Sequence, residues 1–141
     1  ALGLMPGGQV FLLARLRLAD EEPMAIETAY LSHTLCPNLI EHDFAVESLN
    51  AVLENDYSLR LVQAEQVIEA ALAAPDELRL LELTAPAAIL RMQRLTFAGP
   101  GLQPVEYVIS TYRSDRYKFR STLRNHSDSS PTAAMSPGAA L

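Results

Sequence analysis

Residues 9–19 place apolar side chains at every second position. Val10, Leu12, Ala14, Leu16 and Leu18 fall on one side, and Phe11, Leu13, Arg15 and Arg17 on the other. Successive Cβ atoms of a strand point to opposite faces, so a period of two predicts a β-strand. The wholly apolar row is expected to face the core. Asp20-Glu21-Glu22-Pro23 reads as a turn and residues 23–31 as a return strand, which together make a β-hairpin. Residues 32–43 are irregular, with one helical turn. Val46, Leu49, Val52 and Leu53 then recur at helical spacing and predict an amphipathic helix of about three turns.

Residues 57–74 carry two signals. Their alanines and glutamates favour helix by propensity, while Val62, Ala64, Gln66, Ile68, Ala70 and Leu72 line up as one side of a strand. The pattern alone leaves both open. Pro75, the acidic residues after it, and Leu78, Leu81 and Leu83 predict a short helix.

A repeat then emerges. Residues 2–19 align with residues 81–98: Leu2 with Leu81, Leu4 with Leu83, Val10 with Ile89, Arg15 with Arg94, and Leu16 with Leu95. Each copy is a turn, a strand, a loop and a second strand. Two copies separated by helices predict an α+β fold on an internally duplicated sheet; chance similarity between apolar strands is the alternative. Residues 125–141 are rich in Ser, Pro and Ala and are expected to form a disordered tail behind a folded domain at 1–124.

Composition narrows the function classes. A chain of 141 residues corresponds to one domain, and 49% hydrophobic residues are enough for a core. Eleven Lys and Arg against seventeen Asp and Glu give a net charge of -6. That argues against direct contact with nucleic acid, which needs clustered cations to displace counterions from phosphates. The single cysteine, Cys36, excludes an internal disulfide and a Cys-rich zinc site, and fits a reducing compartment. No apolar run approaches the roughly 18 residues of a membrane span. The chain starts without Met and reads as a fragment of a longer protein.

Arg15 and Arg17 share a strand face about 7 Å apart, a fork suited to phosphate or carboxylate. The plainer reading is a solvated pair worth little. Glu27 shares that face if the hairpin loop has three residues, and takes the other face if it has two. Glu106 and Tyr112 share a face with Val108 and Ser110, where a carboxylate and a phenol can serve sugar-like hydroxyls. The alternative is a half-buried tyrosine near a surface glutamate. Ser48 can donate to an anion at a helix start or merely cap the helix. His33, His42 and His126 lack ligand spacing. There is no Gly-rich phosphate loop, no nucleophile elbow and no Cys/His pair, so no metal, cofactor or catalytic centre is expected. Arg113, Arg116 and Lys118 in "YRSDRYKF" pose a question of their own, anion site or turn.

Read in order, "RLRLADEEPMAIETAYL", "SLNAVLENDY", "AEQVIEAALA", "RLLEL" and "VEYVISTYRSDRYKF" resemble the UTRA domain, the effector-binding module of HutC-type regulators in the GntR family. The resemblance implies a chorismate-lyase-like antiparallel sheet and makes 61–73 a strand. It implies a cytoplasmic homodimer that reaches DNA only through an absent N-terminal winged helix-turn-helix, with no membrane partner. It further implies a small anionic metabolite as ligand. Arg15, Arg17 and Ser48 match residues that hold phosphate in relatives sensing amino-sugar phosphates. Asn50 stands where a tyrosine often contributes, and Glu27, Glu106 and Tyr112 match residues that hold the sugar. The cations of "YRSDRYKF" then belong to a turn and the start of a strand. Other readings of the same fold are a chorismate-lyase-like enzyme and a ligand-free dimerisation module.

Overall fold

The computed structural model describes residues 2–3, 8–125 and 132–137. Strands β1 (Val10–Ala19) and β2 (Glu22–Ser32) form the first hairpin. A single 3₁₀ turn at Leu39–Glu41 leads to helix α1 (Leu49–Asn55), followed by strand β3 (Arg60–Leu72) and helix α2 (Pro75–Leu80). Strands β4 (Ala88–Gly99) and β5 (Gln103–Arg113) form the second hairpin, and β6 (Tyr117–Thr122) and β7 (Thr132–Pro137) follow. The main sheet is antiparallel, in the order β1-β2-β5-β4-β3. The two hairpins of the repeat thus place their return strands, β2 and β5, side by side at the centre. β3 extends the second hairpin at the edge.

Residues 60–72 form a strand in spite of their helix propensity, because pairing with β4 overrides a weak local preference. The approach is close. A Cβ added at Gly99 would lie 3.1 Å from a Val62 methyl, so a side chain there would require Val62 to shift by a few tenths of an ångström.

The face assignment of β1 is the reverse of the expectation. Val10, Leu12, Leu16 and Leu18 are 44–59% exposed, and Ala14 is exposed with them. Phe11 and Leu13 pack on the core instead. Both rows begin apolar, so periodicity identifies the strand but not which row is buried. The predicted three-turn helix is also shorter. α1 has seven residues, and Val46 lies ahead of it, 82% exposed. Asp43 accepts a hydrogen bond from the Ala45 N–H, Glu47 accepts one from the Asp43 N–H, and Ser48 Oγ accepts from Ala51 N–H. These side chains hold the segment in turns up to the cap, so helical φ/ψ begins only at Leu49.

The chain divides into two compact units. One takes Ala1–Arg15, Glu27–Glu69 and Arg91–Ser110. Its core joins Leu49, Val52 and Leu53 of α1 to Ala29 and Leu31 of β2 and Val108 of β5, with Cys36 and Leu39 from the intervening loop. Tyr57 donates to the Pro37 carbonyl at 2.6 Å and ties the end of α1 to that loop.

The other unit takes Leu16–Ile26, Ala70–Leu90 and Thr111–Leu141. Glu77 reaches back to the Ala74 N–H at 2.9 Å, satisfying an orphan donor at the start of α2, and its other oxygen accepts from Thr111 Oγ1 at 2.8 Å. Arg113 donates twice to Asp115 and once to the Leu81 carbonyl, Ser114 donates to the Ala88 carbonyl, and Arg116 pairs with Glu22. Of the three cations of "YRSDRYKF", Arg113 therefore braces the β5–β6 turn and Arg116 ties it to the start of β2. Within the stretch 125–141 expected as a disordered tail, Thr132–Pro137 pairs antiparallel with β6, and 126–131 and 138–141 lie outside the described residues. No helix among the described residues is long and apolar enough to cross a membrane.

Candidate functional site

The β1–β2 turn consists of Asp20 and Glu21, both at positive φ (50° and 64°), the geometry of a two-residue hairpin loop. An unbroken ladder from such a turn would put Glu27 on the face opposite Arg15. Yet Arg15 Nη2 donates to Glu27 Oε2 at 3.2 Å. The His33 N–H donates to the Gln9 carbonyl at 3.1 Å, which sets Arg15 opposite Glu27, whereas the turn sets Ala19 opposite Glu22. The two registers differ by one residue, the offset that a β-bulge introduces. Alternation in β2 breaks at the same place, since Pro23, Met24 and Ala25 are all buried.

Among the described residues, the first unit holds two buried carboxylates. Glu27 is 7% exposed and Glu106 only 2%. Thr96 Oγ1 donates to Glu106 Oε2 over a long 3.4 Å. Burial pushes the Glu106 carboxyl above its ordinary range; Arg94, the Thr96 hydroxyl and Arg15 pull it down, and Glu27 pushes it up. The Cys36 thiol is pushed up to about 11, by burial first and by Glu106 second. Arg15 Nε and Ser110 Oγ are buried without a hydrogen-bond partner among the described residues.

Glu106 opens onto a cleft of about 310 Å³. α1 contributes Asn50, β3 contributes Leu61, Val62, Gln63 and Ala64, β4 contributes Arg94 and Thr96, and β5 contributes Glu106. Two amides, a guanidinium, a hydroxyl and a carboxyl face a hydrocarbon wall. Such a lining can orient a small polar molecule by its edges while covering one of its faces.

The structure thus brings Arg15, Glu27, Glu106 and Asn50 into one unit, with Asn50 and Glu106 in the cleft wall. Ser48 is the N-cap of α1, two positions before Asn50. Arg17 and Tyr112 belong to the second unit, where Arg17 is exposed and Tyr112 is buried and stacked on Tyr117 at 4.0 Å. Arg94, Thr96 and Gln63 were not foreseen. The repeat carried a signal for Arg94, since it aligns with Arg15; nothing in the sequence marked Thr96 or Gln63. Beside α1, His42 stands between two carboxylates, with Nδ1 3.2 Å from Glu47 and Nε2 3.5 Å from Asp56. Among the described residues no group of three His, Cys, Asp or Glu side chains is placed to hold a metal.

The chain is similar to known proteins over most of its length. The UTRA domain family matches residues 1–118. The HTH-type transcriptional repressor NagR of Bacillus subtilis is 31% identical over 118 residues, 84% of this chain and 48% of that protein. The histidine utilization repressor of Pseudomonas putida is 31% identical over 105 residues, 74% of this chain and 41% of that protein. The chain thus spans about half the length of the curated relatives it matches. Among solved structures, the C-terminal domain of the histidine utilization repressor from Pseudomonas syringae pv. tomato superposes with a TM-score of 0.79 at 26% identity, covering 89% of this chain and 86% of that one. A GntR-family transcriptional regulator from Enterococcus faecalis superposes at 0.77 with 28% identity, covering 84% of each.

Proposed function

From the premise that this chain belongs to the UTRA domain family, we propose that it senses a small anionic metabolite, such as a sugar phosphate, for a GntR-family transcriptional repressor. Its relatives are transcriptional repressors and regulators by name, and the chain is a regulatory domain rather than an enzyme. One observation carries the ligand reading. Glu106 is almost wholly buried, has one long side-chain hydrogen bond among the described residues, and borders an open cleft. A buried carboxyl left short of partners is costly to a fold. Hydroxyl or amine groups of a bound molecule would complete its hydrogen bonding. Arg15 and Glu27 form a charged pair whose fields reach Glu106, and Asn50 brings the first turn of α1 to the cleft wall.

In the whole regulator, ligand binding favours one arrangement of a homodimer, and DNA-binding domains elsewhere in the protein are placed for the operator or away from it. Coupling of this kind is about 1–3 kcal/mol and is reciprocal for binding free energies. A thermal-shift panel of phosphosugars, organic acids and acyl chains tests the sensor. One chemical class is expected to raise the melting temperature, and operator DNA is expected to change its affinity by the same factor by which it changes operator affinity. A flat panel, or unequal factors at equilibrium, contradicts the proposal.

A further inference from the structure

The guanidinium of Arg15 gives one Nη to Glu27, while its Nε is buried without a hydrogen-bond partner among the described residues. Arg94 is in a different position. It lines the cleft, it acts on Glu106 through its field, and no hydrogen bond or ion pair engages it among the described residues. A charged group beside low-dielectric walls keeps more of its attraction for an opposite charge than one in open water. Among the described residues the carboxyl it acts on is Glu106, whose neutral form burial favours, so Arg94 is weakly compensated from within. Thr96 follows it on the same face of β4, and Glu106 lies across from Thr96 on β5.

Resting on the sensor reading above, we propose that Arg94 is a specificity-determining residue of the cleft: it binds the anionic group of the effector, while Thr96, Glu106 and Gln63 take the neutral hydroxyl or amine groups of the same molecule. The ligand class that follows is a small molecule with a phosphate or carboxylate at one end, hydrogen-bonding groups along one edge, and a face that rests on Leu61. A guanidinium offers two parallel N–H donors to such an anion, which an ammonium cannot reproduce.

The test compares the intact protein with Arg94→Gln, Arg94→Lys and Arg60→Gln, the last removing an exposed cation of β3 as a control for net charge. The probes are inorganic phosphate, glucosamine 6-phosphate and glucosamine, titrated calorimetrically while the arginine Nε–H resonances are followed by NMR. Glucosamine 6-phosphate is expected to bind more tightly than glucosamine, and the Arg94 resonance to move saturably. Arg94→Gln is expected to weaken the phosphate-bearing probe by about tenfold or more, Arg94→Lys to recover part of that, and Arg60→Gln to bind as the parent does. Arg94→Gln binding within twofold of the parent overturns the inference. Movement of the Arg15 or Arg17 resonance with Arg94 unmoved also overturns it and leaves the sensor reading standing. Binding of none of the probes overturns it as well, and the wider thermal-shift panel then decides the sensor reading separately. Should Arg94→Gln fail to fold, the resonance shifts of the parent protein decide.

Discussion

Glu106 and Glu47 respond to pH in opposite senses. Glu106 has its carboxyl raised, chiefly by burial. Between the ordinary carboxylate value of about 4.3 and the raised folded value, the native state binds more protons than the unfolded chain, so stability falls as pH rises through that window. Glu47 is exposed, and its carboxyl is lowered by the hydrogen bond with His42 and then by the Asp43 N–H. Its contribution is present above the unfolded pKa and lost as pH falls through the folded one. Glu106→Gln keeps the shape and removes the titration. Denaturant unfolding from about pH 4 to pH 8 should show the variant gaining on the parent as pH rises. A variant that loses ground with rising pH contradicts the burial argument. At this scale the sequence was partly informative. It named Glu106 and Arg15 from strand parity and the family motif, but burial decides what a carboxylate does, and burial depends on neighbours that are distant in the chain.

Turn chemistry explains most of what happened to the elements. Asp20 and Glu21 both hold positive φ, a region that excludes most side chains at about 1–2 kcal/mol per residue. Glu21→Gly relieves that strain and gives back part of it through the larger entropy of an unfolded glycine, so a net gain of about 0.5–1 kcal/mol is expected in chemical denaturation. No change, or a loss, would mean that the glutamate side chain has a role in the turn. The two hairpins, the short second helix and the strand nature of residues 9–19 were readable from period and punctuation. The faces of β1 were not, because Phe11 and Leu13 are as apolar as Val10 and Leu12. Nor was the true loop parity, because a one-residue offset leaves no mark in composition. β3 shows propensity losing to sheet pairing, and Val46 shows helical spacing continuing past the real start of a helix.

On the scale of the molecule, the exposed row of β1 is a feature that the fold leaves unexplained. Val10, Leu12 and Ala14 expose an apolar strip on an edge strand, where unpaired backbone groups also invite pairing. A second copy of the chain is the occupant that fits the proposed homodimer. Leu12→Lys is expected to shift the protein toward monomer in light scattering while leaving the far-ultraviolet circular dichroism unchanged; an unaltered dimer population would place the interface elsewhere. Family motifs made the overall architecture readable, since paired hairpins and the "YRSDRYKF" turn recur in order. The cleft was harder to foresee, because α1, β3, β4 and β5 each give it only one to four residues and no local pattern ties them together.

Native mass spectrometry of the protein as purified from its host tests the central claim most directly. The account predicts a retained small anion on the parent chain and its loss from Glu106→Gln. A parent chain found only at its bare mass, or an adduct held equally by both proteins, would contradict the idea that this cleft is the sensor.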